Sequence, residues 1–335
     1  MRKRNCFTAA LVALLALCVP MSGSAEGLPV VSAFFYPWFG SPEDGGYAHW
    51  AQNGHAPPVD IASNFYPADG PYSSSNSAVI ATQLNEAARA GIDELAVSWW
   101  GRGSKEDNVL PDVLAGAVRT GMLVAAHIEP YNGRTVASVA ADAAYLHSLG
   151  IRTIYVYQAF AGVDPADWAA ANDAIHAEGV TTFAETALVG QAAAGHFSGI
   201  YTYDTVTYGG RVLSRLCNEA HAVHLLCAPS VGPGYDARRA IGDPHVKPRR
   251  HGLTYDSMWR AALAAGADRI TITSFNEWQE GTQIEPAVPL RVGEYQYVSY
   301  DGAWGLHGAA AENAYLTRTA YWANLFRKTS ARPKP

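Results

Sequence analysis

The sequence predicts an α/β fold, a (β/α)8 TIM barrel in a single domain, and three observations predict it. Eight short apolar runs rich in β-branched and aromatic residues recur along the chain. Each is followed by a longer segment with helical spacing. Several of those segments stop at a glycine, the residue that caps a helix in the left-handed conformation without steric cost. Eight alternations, with no glycine-rich phosphate fingerprint after the first run, suit a closed barrel better than an open doubly wound sheet.

The first strand is expected at 30–38 (VVSAFFYPW), and a long loop, 39–76, carries His49, Trp50 and a Pro/Gly/Ser-rich tail before a helix at 77–90 closed by Gly91. Next come a strand at 92–100 (IDELAVSWW), a helix at 108–120 before Gly121, a strand at 123–130 (LVAAHIEP) and a helix at 136–149 before Gly150. The strand 153–158 (TIYVYQ) leads to a helix at 166–178 before Gly179, and the strand 181–186 (TTFAET) leads to the weakest helical segment, 188–196. The last three strands are 199–203 (GIYTY), 225–231 (LLCAPSV) and 269–276 (RITITSFN), with helices at 210–223, 254–266 and 312–328. A second long loop, SVGPGYDARRAIGDPHVKPRRHG, follows the seventh strand. Loops of such length are more often functional than decorative. There is no internal repeat, low-complexity tract or linker, so residues 26–335 read as one catalytic domain.

Residues 1–25 (MRKRNCFTAALVALLALCVPMSGSA) have the basic start, short apolar stretch and small-residue end of a secretory signal. Cleavage is expected after Ala25, giving a secreted or periplasmic protein, or a Golgi or ER luminal one in a eukaryotic host, with no membrane attachment once the signal is removed. The formal charge is −6, and loss of the signal's three basic residues makes it −9. That balance argues against nucleic acid as a partner. Two cysteines remain, Cys217 and Cys227, and either a disulfide or two buried thiols fits their settings. His and Cys show no clustered metal-ligand spacing, so neither metal nor cofactor is expected. A monomer is the expected state.

A barrel places its active site at the carboxyl ends of the strands. Those ends gather Tyr36, Trp38, Trp99, Trp100, His127, Glu129, Tyr157, Glu185, Tyr203, Asn276, Glu277, Trp278 and Glu280. Aromatic faces interleaved with carboxylates suit a neutral polyhydroxylated substrate, whose C–H faces stack and whose hydroxyls donate to the acids. Cleaving a glycosidic bond takes one carboxylic acid on the departing oxygen and a second carboxylate at the sugar. Glu277 and Glu280 meet that need if 277–280 turns out of the strand, because an extended chain would separate them by roughly 10 Å. The others have plainer readings as well. Glu285 reads as a solvated or ion-paired loop residue, Glu185 equally as a structural partner of Arg249 or Arg250, His127 as a structural histidine, and Trp38 and Trp50 as loop packing.

The segments FFYPWFG, VSWWG, HIEPYNGR, GIYTY, PSVGPGY, YDSMWRAAL and SFNEWQEGTQIEPA, in this order from residue 34 to 287, resemble glycoside hydrolase family 99, the endo-α-1,2-mannosidases and endo-α-1,2-mannanases. The resemblance implies a (β/α)8 barrel that cleaves within α-mannan or N-glycan oligosaccharides with retention, the mannose 2-hydroxyl attacking its own anomeric carbon to form a 1,2-anhydro sugar. It implies Glu277 as the base for that hydroxyl and Glu280 as the acid for the leaving oxygen. Sugar contacts are expected from Tyr36, Trp99, Trp100, His127, Glu129, Tyr157, Tyr203, Asn276 and Trp278. Gln279 departs from the His or Gly common in relatives, and Trp100 is similar to the bacterial mannan-degrading version. Two other readings are a mannan-binding barrel that has lost turnover, for which acid or base should be missing, and a related hydrolase of another α-glucan.

Overall fold

The computed structural model describes residues 30–330, so the expected leader at 1–25 lies outside the described residues. The apolar runs become parallel staves: β1 Val30–Phe35, β2 Glu94–Trp99, β3 Leu123–Ile128, β4 Thr153–Val156, β5 Thr181–Glu185, β6 Gly199–Tyr201, β7 Leu226–Ala228, β8 Ser230–Val231 and β9 Arg269–Ile272. They pair in the order β7-β6-β5-β4-β3-β2-β1-β9-β8. The two ends of that row are one piece of chain interrupted at Pro229, so the sheet closes as a barrel of the eight expected staves. The interruption has a plain cause, since proline has no N–H for the ladder. Its carbonyl still accepts from Thr271 N at 3.1 Å, and Ser230 N donates sideways to Thr202 Oγ1 at 3.0 Å.

Outside lie α1 Ser77–Arg89, α2 Lys105–Thr120, α3 Val136–Ser148, α4 Ala169–Ala177, α5 Val189–Ala194, α6 Arg211–Ala222, α7 Leu253–Ala264 and α8 Ala314–Ser330. α2 begins before the expected residue 108 because Ser104 accepts a hydrogen bond from Asp107 N and caps an earlier turn. α5, read as the weakest, is the shortest of these at six residues and has no side-chain cap. Among the described residues no helix is long and apolar enough to cross a membrane. Cys217 of α6 and Cys227 of β7 form a disulfide with Cα atoms 5.2 Å apart, deciding a pairing that the sequence left open.

The barrel interior is aromatic near the mouth and polar beneath it. Phe34 lies 4.6 Å from the His127 ring and 5.7 Å from that of Tyr201. Lower down, Glu94 is held by Arg269 at 2.8 Å, Ser32 at 2.5 Å and Tyr155 at 3.2 Å, so the buried charge is both paired and hydrogen-bonded. The two long loops are not structureless. Tyr66–Pro67 pairs with Ala287–Val288, and Tyr235–Asp236 pairs with Val246–Lys247. The first ribbon ties its loop to the segment that follows β9; the second folds its loop on itself, and Asp236 N joins it to the same segment at Glu280 O, 2.7 Å away.

Candidate active site

The chain leaves β9 and folds back on itself between residues 273 and 285. Ser274 N donates to Thr282 O at 2.9 Å, Ile284 N to Ser274 O at 3.0 Å and Gly281 N to Trp278 O at 3.2 Å. Gly281 sits at φ +63°, and a β-carbon there would meet Asp236 O at 3.1 Å, so both its backbone and its surroundings require glycine. This is the turn that the paired glutamates needed. Glu277 and Glu280 therefore share one tight reversal at the carboxyl end of the barrel.

Their surroundings differ. Glu277 is buried; Ser274 Oγ accepts from its backbone N–H at 2.7 Å, and its carboxyl accepts from Gln279 N at 3.1 Å. Burial, then the Glu280 charge, push its proton affinity well above the usual carboxylate range. Glu280 is only partly buried. Burial raises it to about 7, against the opposing hydrogen bond from Tyr203. Tyr203 OH donates to Glu280 Oε2 at 3.2 Å and accepts from Tyr36 OH at 2.6 Å, making a short relay that ends on the carboxylate. Burial and neighbouring carboxylates raise both carboxyls above the ordinary carboxylate range, and such displaced affinities suit acid and base work.

Glu129 stands across the mouth, where Ser98 Oγ donates to it at 2.8 Å and His127 Nδ1 lies 3.1 Å away. His127 is buried, with Nε2 2.8 Å from Tyr201 OH and its ring parallel to Tyr203 at 5.7 Å. Tyr157 packs 5.4 Å from Tyr203 at the rim. Trp100 is 37 % exposed and donates to Ser98 Oγ at 3.2 Å, the hydroxyl that also donates to Glu129.

A family model of glycosyl hydrolase family 99 matches residues 29–161 and 180–328 of this chain. The chain belongs to glycosyl hydrolase family 99. It is 31 % identical over 354 residues to the Mus musculus glycoprotein endo-alpha-1,2-mannosidase, covering 88 % of this chain and 74 % of the mouse protein. It is 30 % identical to the Homo sapiens glycoprotein endo-alpha-1,2-mannosidase-like protein over 88 % of this chain and 75 % of the human one. The structure of the GH99 endo-alpha-mannosidase from Bacteroides thetaiotaomicron superposes with a TM-score of 0.79 at 31 % identity, covering 90 % of this chain and 98 % of that one. As a member of family 99 this protein is a glycoside hydrolase.

Three residues expected at the sugar lie behind the rim of this family 99 barrel. Trp99 is 0 % exposed and its indole donates to Asp107 of α2 at 2.9 Å, because alternate side chains of a strand point to opposite faces and this one points outward to the helices. Asn276 spends its amide on the backbone of Tyr36, accepting from N at 2.7 Å and donating to O at 3.1 Å. Trp278 is fully buried and donates to Glu285 Oε2 at 2.7 Å.

Two plainer readings are also corrected. Glu285 is neither solvated nor ion-paired: it is 4 % exposed and accepts from Tyr72, Gln83 and Trp278, each at 2.7 Å. Burial pushes it to about 8 despite those bonds. Glu185 is not bound to Arg249 or Arg250. It accepts from Gln158 N at 3.2 Å, while Arg249 donates to Gly281 O and Gln283 O. Trp50 does pack within its loop, its ring 4.2 Å from that of Phe39. Trp38 stacks on His49 at 4.4 Å and lies 4.7 Å from Tyr36, so the first loop forms a wall beside the relay.

Sequence reasoning missed one side of the family 99 site. A cleft of about 310 Å³ opens beside Glu280 between Tyr157, Asp204, Thr205, Tyr235, Asp243 and His245. Asp243 joins its wall together, accepting from Tyr235 OH at 2.6 Å with His245 Nδ1 also at 2.6 Å. Two signals pointed here: the long loop after the seventh strand, which carries Tyr235, Asp243 and His245, and Asp204, which directly follows the Tyr203 already singled out.

Proposed function

We propose that this family 99 hydrolase cleaves α-1,2-mannosidic bonds within mannan or high-mannose N-glycan chains, retaining anomeric configuration through participation of the 2-hydroxyl. The observation that carries the reading is the pair Glu277 and Glu280 on one turn at the barrel mouth, one buried and anchored by backbone, the other partly open and fed by Tyr203. The endo-alpha-1,2-mannosidase activity of the mouse relative supports the linkage, and the endo-alpha-mannosidase activity of the bacterial one supports the endo mode.

In the first step Glu277 takes the proton of the 2-hydroxyl as O2 attacks C1, and the bond from C1 to the leaving oxygen breaks while Glu280 gives that oxygen its proton. The product is a 1,2-anhydro sugar. In the second, Glu280, now a carboxylate, takes a proton from water as the water oxygen attacks C1, and the opening O2 recovers its proton from Glu277. The step starts with the proton on Glu280 and with Glu277 ionised. Burial opposes ionisation of Glu277, but a protonated Glu280 removes the next-largest opposing cause, and the N–H groups of Gln279 and Glu280 stabilise the Glu277 carboxylate. Tyr203 occupies Oε2 of Glu280, which leaves Oε1 for the departing oxygen.

Endo cleavage agrees with the cleft that runs from Glu280 to Asp204 and Asp243 and with the exposed ring of Trp100. Export fits the pattern of residues 1–25 and the Cys217–Cys227 bridge. Digestion of yeast mannan and of a glucosylated high-mannose N-glycan tests the function. Disaccharide or larger products whose new reducing end is first α support it, and release of free mannose alone refutes it.

A further inference from the structure

Glu277 is anchored inside its own turn, but the Glu280 end of that turn is held from outside. Asp236 N donates to Glu280 O at 2.7 Å, and Arg249 Nη2 donates to Gly281 O at 2.9 Å and to Gln283 O at 2.6 Å. Both residues belong to the long loop after the seventh stave. Arg249 is itself locked. Its guanidinium lies over three ring faces, 4.5 Å from Phe65, 4.9 Å from Tyr300 and 4.6 Å from Tyr315, and Nε and Nη1 are buried with no hydrogen-bond partner among protein atoms. A cation enclosed by aromatic faces is held by the ring quadrupoles, so it needs no carboxylate and leaves one nitrogen for the turn. The chain makes room for it at Gly234, where a β-carbon would come within 2.7 Å of Arg249 Cγ. Tyr300 also works on the turn directly, donating to Glu285 O at 2.8 Å.

We propose that Arg249 is a positioning residue for Glu280: caged by Phe65, Tyr300 and Tyr315, it fixes the carbonyls that follow Glu280 and so aims that carboxyl at the leaving oxygen. The inference rests on Glu280 being the acid of the proposed function. Displacement of a reacting group by about 1 Å costs on the order of 10²-fold in rate. Losing Arg249 should therefore reproduce the selectivity of losing the acid. A leaving group that needs a proton should suffer, and one that needs none should be spared, because Glu277 keeps its own bonds to Ser274 and Gln279.

The test uses the whole chain with Arg249→Met, which keeps the packing of the stem and removes the donors, and Arg249→Lys, which keeps the charge over the rings. Each is measured on an α-1,2-mannoside and on the matching α-glycosyl fluoride, alongside Glu280→Ala. Arg249→Met should lose about 10²-fold in kcat on the mannoside with KM nearly unchanged, and under about fivefold on the fluoride. Arg249→Lys should recover part of the mannoside rate. Equal loss on both substrates, or no loss, in Arg249→Met would overturn the proposal. Should that variant not fold, Arg249→Lys decides alone: selective partial loss supports the proposal, and uniform loss or none overturns it. If Glu280→Ala itself shows no preference for the fluoride, the acid assignment fails, and the two failures are told apart.

Discussion

Tyr203 OH stands between Tyr36 OH at 2.6 Å and Glu280 Oε2 at 3.2 Å, with both tyrosines buried and Glu280 partly open to the cleft. Burial and the neighbouring carboxylates hold both phenols well above their ordinary proton affinity, so each remains a donor throughout the working pH range. The relay thus delivers one hydrogen bond to the charged form of Glu280 and lowers the affinity that burial raises.

Tyr203→Phe should move the basic limb of the kcat profile upward. With Glu280 as the acid of the proposed mechanism, it must be protonated to act, so the rate falls as pH rises through its affinity, about 7 in the native protein. Without Tyr203 the carboxylate loses a donor, the affinity rises and the limb follows. Tyr36→Phe should move it in the same direction by less. A limb that stayed in place or shifted downward in Tyr203→Phe would contradict the relay, and pH profiles of kcat measure it.

On the proposed mechanism the two glutamates separate by substrate. General acid assistance is worth about 10²–10⁴ in rate and loses most of that value when the leaving group needs no proton. Glu280→Ala should be crippled on a mannoside yet far less impaired in the first step on a glycosyl fluoride, whereas Glu277→Ala should be impaired on both. A 2-deoxy fluoride should be inert even with the native enzyme. Turnover of that compound with a covalent adduct on Glu277, read by mass spectrometry, would replace participation by double displacement.

Glu285 makes stability depend on pH. Burial holds it at about 8 in the fold, against 4.5 for an ordinary glutamate, so between these values the folded chain binds more protons than the unfolded one. This contribution is fully present below about 4.5 and is lost as pH rises through about 8. Glu285→Gln, a mimic of the neutral acid, should flatten the fall in Tm across that window, the more so because Gln83 Oε1 lacks a partner and can accept from the new amide if Gln83 turns over. Glu285→Ala strands the buried donors Tyr72, Gln83 and Trp278 at a cost of about 1–3 kcal/mol for each left unpaired. Calorimetry at pH 5, 7 and 8 would expose a wrong sign.

Neighbouring tryptophans should behave oppositely. Trp100 is 37 % exposed, and Trp100→Ala should leave Tm nearly unchanged while raising KM about tenfold, the worth of roughly 1.4 kcal/mol of sugar stacking. Trp99 is fully buried, and Trp99→Ala should cost about 3–5 kcal/mol of stability. Equal effects of the two on stability, by thermal melts, would show that the rim has been drawn in the wrong place.

By itself the sequence determined the barrel, and it singled out two glutamates that the structure places on one turn at its mouth. Staves covered outside by helices and packed inside on one another are largely apolar, so runs such as VVSAFF and ELAVSW announce themselves without partners, Ser32 and Glu94 being polar members that pair inside the barrel. A closed parallel barrel has one face built from strand-to-helix loops, which made Glu277 and Glu280 conspicuous wherever their turn pointed. Tertiary structure alone decided which aromatic groups face the mouth, since Trp99 turns outward to Asp107 and Trp278 turns inward to Glu285, and neither outcome is written in its neighbours. It also decided that Glu285 is buried, that Cys217 meets Cys227, and that Arg249 grips the turn carrying Glu277 and Glu280 instead of Glu185. The reason is range. Tyr72 reaches Glu285 across 213 positions and Asn276 reaches Tyr36 across 240, and such contacts exist only after the barrel has closed.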